Sequence, residues 1–293
     1  MTAEAPGVPG RWLYPLPYIL TGVLPFWVGM LLAQSSGFPL GPGIWVAGTL
    51  GVLALILAAF ASREAFSPGV GRCPALGGLP PQASRRLALA CLALAALLGL
   101  MIQFGWDTGD LTLPLGGLGV LGGYFYFAPP LNWHRRAWGE AVGGLCLGLL
   151  PVTAGFYLSG GRLVSEVLLY GLPLTFGAFN LFLVQGFPVP EAGVPWASHS
   201  LAQRLRPVTR AFIYTLCNIL TMVGLGFCLF FPASPLPLRG LLWPLLLLAV
   251  VNQELIKRKA YHDEARLRLL DWLTLALHLG MGLTFNLMLW QRL

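Results

Sequence analysis

Charge is what this 293-residue chain has least of: Asp, Glu, Lys and Arg together make up 10% of it. A water-soluble domain carries about 25%, so this chain cannot cover a surface that faces water, and a soluble fold is excluded. Acid is the scarcer sign, with 11 acidic residues against 18 basic ones. Cysteine is sparse as well: five residues, at 73, 91, 146, 217 and 228, without paired spacing. They give no disulfide framework, and four of them lie in or beside apolar runs as small core residues. Neither a tandem repeat nor a low-complexity segment is present, and no soluble second domain can be cut from residues 1–293.

What is abundant is apolar. The chain is 56% hydrophobic, with a mean hydropathy of +0.73. Cut at charges, proline clusters and glycines, it yields nine apolar segments: Leu16–Ala33, Ile44–Ala61, Leu87–Phe104, Leu113–Phe127, Ala141–Leu158, Val164–Val184, Ala211–Phe231, Leu238–Val251 and Leu273–Trp290. Most reach the roughly 17–25 residues of a spanning helix. The fourth and eighth are short, so they are expected to tilt or to extend into neighbouring residues. The expectation is therefore an all-α, polytopic membrane protein of nine transmembrane helices forming a single domain.

The basic residues fix an expected orientation. With the amino terminus inside, 15 of the 18 fall on the cytoplasmic side, leaving only Arg162, Arg239 and Arg292 opposite. The positive-inside rule predicts this asymmetry. The sequence thus reads as a protein of a bacterial inner membrane, with the amino end cytoplasmic and the carboxyl end on the other side. Its first apolar segment reads as a retained helix, not a cleaved signal. The net charge of +7 reflects topology and attraction to anionic lipid, not nucleic-acid binding. Glycine recurs within segments, as at Gly116-Gly117, Gly122-Gly123 and Gly143-Gly144, where small residues let membrane helices approach closely. The three longer connections, Ser62–Arg86, Gln185–Arg210 and Asn252–Trp272, all fall on the basic face, so an activity built on loops is expected there.

Two stretches carry a family resemblance. VQGFPVPEAGVPWASHSLAQRL, Val184 to Leu205, resembles the second substrate loop of the UbiA-type intramembrane prenyltransferases, and YFAPPLNWHRRAWGE, Tyr126 to Glu140, resembles the loop after that family's fourth helix. The resemblance is strongest from Leu87 to Leu205. It implies a roughly circular helical bundle around a lipid-accessible cavity with a polar cap. The family places two aspartates in the second loop to hold the magnesium of a prenyl diphosphate. Here, in register with Phe187-Pro188 and Ser200-Leu201, those positions are Val189 and Gly193. A first aspartate motif is expected at the end of the second helix, but FASREAFSPGVGRC stands there, with Glu64 the only acid between the first span and Asp107. Asp107 and Asp110 fall on the opposite face. His134 and Ser198 occupy positions where family lysines occur.

The family chemistry needs hard oxygen ligands, because the departing diphosphate gathers negative charge that magnesium and basic side chains neutralise. No metal site is expected here; Glu64 and Glu191 are the two carboxylates that would have to share magnesium if the chain were active. His134, Arg135, Arg136 and Arg204 are candidates for binding a phosphate or lipid headgroup, against the plainer reading of the arginines as topogenic charge. Within the spans, Asn180 and Gln185, like Asn218 and Thr221, are either helix-to-helix hydrogen-bonding groups or cavity residues. His278 is the one histidine deep in a span. It is either a packing residue or the axial ligand of a chlorophyll, for which Gly280 and Gly282 would leave room; a bis-histidine haem would need a second such histidine.

Two functions follow as expectations. The first is a catalytically degenerate, prenyltransferase-like subunit of a larger membrane complex, in contact with membrane lipids and other integral subunits, that binds a quinone, carotenoid, chlorophyll or lipid. The alternative is an active divergent prenyltransferase acting on an aromatic, quinone-precursor or tetrapyrrole acceptor. A transporter ranks below both, because the pseudo-repeat of broken helices expected there is not evident.

Overall fold

A computed structural model describes residues 15–67, 79–159, 163–187, 204–230 and 238–293. All regular structure among them is helical: α1 Pro15–Ser35, α2 Pro42–Phe66, α3 Pro81–Leu100 continued by a π-turn Met101–Gly105, α4 Thr112–Phe127, α5 Gly139–Leu147, α6 Leu149–Tyr157, α7 Glu166–Gln185, α8 Pro207–Phe230, α9 Leu242–Lys257 and α10 Glu264–Trp290. Eight stretches among the described residues are long and apolar enough to cross a membrane, α3 with its π-turn and α5 with α6 each counting as one. α4, the fourth segment of the sequence reading, is 16 residues long and packs against α2.

Local chemistry sets the ends. Prolines open α2 and α3, where a missing N–H costs nothing and the fixed φ suits the first turn. Asp263 caps α10 by accepting from the N–H groups of Ala265 and Arg266 at 2.9 and 3.2 Å. The fifth apolar segment is broken. Pro151 cannot donate to Leu147, and the chain turns at Gly148, whose missing side chain lets it lie against Thr175 of α7. The freed Leu149 N–H then donates to the Thr175 hydroxyl at 2.8 Å, so that donor is not stranded in lipid.

Contacts gather the longer connections at one end of the bundle. Ser67 meets His134 at 3.2 Å, Arg85 lies over the Phe66 ring, and the rings of Phe187 and Tyr261 stack at 5.5 Å. The opposite end carries the exposed Asp107 and Asp110, and there Tyr157 accepts from Leu111 N–H at 3.1 Å. The apolar core runs through α1, α6, α7, α9 and α10, where Val28, Met30, Val152, Phe156, Leu174, Met281 and Phe285 have no solvent exposure.

Candidate functional site

Between α1, α2, α3, α4, α5, α6 and α7 lies a cavity of about 280 Å³. Its lining steps along α2 through Gly48, Val52, Leu55, Ala59 and Arg63, and along α4 through Thr112, Gly116, Gly119, Gly123 and Tyr126. Both series advance by three or four residues, one face of a helix. Each covers about 22 Å at 1.5 Å per residue. The cavity is therefore a slot running most of the way through the hydrocarbon layer, which is about 30 Å thick. Its mouth, at the end bearing the long connections, carries Arg63, Tyr126 and Gln185, and its floor is Ile102, Thr112 and Leu158.

The mouth is held by three polar devices. Arg63 forms an ion pair with Glu64 at 3.0 Å, both side chains less than a tenth exposed. Arg210 is buried and donates to the carbonyls of Gly186 at 2.8 Å and Leu205 at 2.9 Å, with its guanidinium over the Phe187 ring; a cation there satisfies the carbonyl end of α7. His134 is the third. Its Nδ1 faces the Tyr126 carbonyl at 2.9 Å, so Nδ1 carries the hydrogen, and its Nε2 accepts from Arg135 Nε at 3.3 Å and lies 3.2 Å from Ser67 Oγ. Both ring nitrogens are thus engaged in tying α2 to the α4–α5 turn, contacts that the sequence alone does not disclose.

Burial, with Arg135 beside it, holds the His134 imidazolium below its ordinary pKa, outweighing the carbonyl contact that favours it. The folded form therefore prefers neutral His134. As pH falls through about 6.5, the unfolded chain takes up the proton first, and stability is lost until the folded pKa is passed. Thermal melting in detergent is expected to drop over that window, and His134→Gln is expected to remove that part of the dependence. An identical pH profile for the variant would refute the assignment.

The remaining candidates divide. Gln185 lines the slot. Asn180 does not: it is buried and donates to the Tyr214 carbonyl of α8 at 3.2 Å. His278 is 1% exposed, with Nε2 3.2 Å from the Thr21 carbonyl, so it lies behind the slot wall and braces α10 on α1. The space expected at Gly280 and Gly282 for a macrocycle is taken by Leu245 and Leu24, which a Cβ there would meet at 2.6 and 2.9 Å. Arg135, Arg136 and Arg204 are exposed. Arg136 donates to the Pro130 carbonyl at 3.2 Å and lies over the Trp133 ring. Glu191, Val189, Gly193 and Ser198 lie outside the described residues. Arg63 and Tyr126 of the mouth were missed as site residues; an Arg-Glu pair closing an apolar run is a signal by which the first could have been found.

The mouth does not fit a magnesium ion on its described residues. Among them no three His, Cys, Asp or Glu side chains come together. Glu64, the acid at the end of α2, gives its Oε1 to Arg63, whereas magnesium is held by carboxylates free to meet an octahedral shell.

No protein-family model matches the chain. Over 117 residues it is 32% identical to the 1,4-dihydroxy-2-naphthoate octaprenyltransferase of Bacillus subtilis (strain 168), a stretch that covers 39% of this chain and 37% of that protein. Solved structures match nearly end to end. A UbiA homologue from Aeropyrum pernix K1, in its apo form, superposes with a TM-score of 0.68 at 14% identity, covering 91% of this chain and 96% of the other. A UbiA homologue from Archaeoglobus fulgidus bound to DMAPP and Mg²⁺ gives 0.60 at 16% identity, covering 94% and 98%. With its bundle of apolar helices around a slot, the chain is an integral membrane protein with the fold of the UbiA homologues.

Proposed function

We propose that the chain uses its slot to hold a long apolar molecule with a polar head, of the quinone, carotenoid, chlorophyll-tail or lipid class, and serves a larger inner-membrane complex as a catalytically degenerate subunit. One observation carries this: where a prenyl transferase needs free carboxylates, the mouth offers Glu64 already neutralised by Arg63, over an almost wholly apolar slot. Arg63 and Gln185 supply a cation and an amide for a carbonyl or anionic head, and the exposed Arg135, Arg136 and Arg204 attract anionic headgroups. Fold alone does not license transfer chemistry, which must come from the site.

A second reading, active prenyl transfer, is favoured by the likeness to the Bacillus subtilis octaprenyltransferase. It requires Glu64 and Glu191 to act together with the loop arginines. Gentle purification from the native membrane, followed by mass spectrometry, decides between the two. The subunit reading expects other integral proteins and a stoichiometric apolar ligand. Magnesium-dependent transfer from a prenyl diphosphate by the purified chain, abolished by Glu64→Gln or Glu191→Gln, would overturn it.

A further inference from the structure

Most glycines lining the slot are filled positions. A Cβ at Gly22 would meet Ile56 at 2.8 Å, at Gly48 the Phe26 ring at 2.8 Å, at Gly99 Leu113 at 3.2 Å, and at Gly122 and Gly143 it would strike Cys146 and Phe182. Gly51 on α2 and Gly116 on α4 differ, since nothing lies within 4 Å of a Cβ built at either. Both line the slot, so the missing side chains leave room that no protein atom fills.

These two glycines stand at one level. α2 and α4 run in the same direction, from floor to mouth, with Leu55 opposite Gly119 and Ala59 opposite Gly123. One turn nearer the floor, the same offset brings Gly51 to the level of residues 115 and 116. Twelve residues separate Gly51 from Arg63 and ten separate Gly116 from Tyr126, about 18 and 15 Å at 1.5 Å per residue. Beyond that level the slot closes quickly. The π-turn at Met101–Gly105 frees the Ile102 carbonyl, which Thr108 takes at 3.1 Å while its hydroxyl meets that of Thr112 at 2.8 Å.

We propose that Gly51 and Gly116 set the length of tail that the slot accepts. The occupant is a single long apolar tail, as in a polyprenyl quinone, whose head stays at Arg63 and Gln185 and whose end passes between the two glycines. The inference rests on the slot being a tail-binding site.

The test uses the full chain in nanodiscs and a series of quinones sharing one head and differing in tail length. Affinity is expected to rise with each added unit until the tail passes the glycine pair, and then to level off. Gly116→Phe and Gly51→Phe should weaken the long-tailed quinones about tenfold, through loss of close packing contacts that fluid lipid does not replace, and leave the shortest untouched. Gly117→Phe, also unopposed within 4 Å but outside the lining, should change neither. A graded series Gly116→Ala, Val and Leu gives the same readout if a phenylalanine variant fails to fold. Equal loss for short and long tails, or none, would overturn the length rule while leaving the tail site in place. Failure of the unaltered chain to bind any quinone of the series would overturn the tail site itself.

Discussion

Gly155→Val is expected to take the bundle apart. α1 and α6 cross with their backbones in contact from both sides. A Cβ on Gly155 would fall on the Phe26 carbonyl and within 3.1 Å of Met30 N, and one on Gly29 would fall on the Val152 carbonyl and within 2.8 Å of Phe156 N. None of these is the movable end of a side chain, so the helices must separate. In lipid the loss is severe, because close packing and not apolar transfer holds spanning helices together. Overpacking a core costs about 1–3 kcal/mol where side chains can yield, and a backbone-to-backbone overlap belongs at or above the top of that range. Separation would also unseat Phe26, Val28, Met30, Val152 and Phe156, all 2% exposed or less. Gly155→Val and Gly29→Val should therefore give little monodisperse protein in mild detergent and a markedly lower melting temperature. Gly226→Val, on α8 with nothing within 4 Å, should stay within about 0.5 kcal/mol of the parent. A Gly155→Val protein that melts with the parent would refute the close crossing.

This crossing marks the limit of what the sequence discloses. Composition and hydropathy give the helical membrane class and locate the apolar middle of each segment, because a bilayer imposes length and apolarity on any helix that crosses it; they miss helical turns that run on into polar sequence, so α10 begins nine residues before the expected Leu273 and α3 six before Leu87. Neither says which face of a helix meets which neighbour. Gly122, Gly143 and Gly144 are close-packing glycines as the sequence suggests, whereas Gly116 and Gly117 touch nothing, and no local pattern separates the two kinds. The same blindness covers Asn180 and His278. That a polar group in a span must find a partner is legible; that the partners are the Tyr214 and Thr21 carbonyls and not a ligand depends on packing far away in the chain. The α5–α6 break was nearer to legible, since Pro151 three residues after Gly148 already denies Leu147 its acceptor role. The contacts of His134 are illegible for another reason: its partners, Tyr126 and Ser67, come together only through the tertiary meeting of α2 with the α4–α5 turn.

Arg63→Ala is the second change expected to act strongly, and it separates structure from ligand. The Arg63–Glu64 pair is 7% and 9% exposed, too buried to be worth as little as a surface ion pair. Removing the arginine strands the carboxylate in an apolar wall, a loss of about 3–5 kcal/mol for a buried pair broken on one side. Glu64→Gln should cost less. It keeps a hydrogen-bond acceptor for the guanidinium, whose long stem can carry the charge toward the mouth. The double variant Arg63→Ala/Glu64→Gln should recover much of the loss, because no uncompensated charge remains. Unfolding of all four proteins in one detergent completes the cycle, and additive losses would refute the coupling. Ligand binding should follow a different order. Arg63 lines the slot, whereas Glu64 is absent from the lining, so the double variant, although refolded, should hold a quinone more weakly than the Glu64→Gln protein. Restored stability with a still-defective head contact would place Arg63 in two roles at once, as partner of the buried acid and as the cation at the mouth. If binding returned together with stability, Arg63 would be a structural residue alone, and the polar head would have to be held by Gln185 and Tyr126.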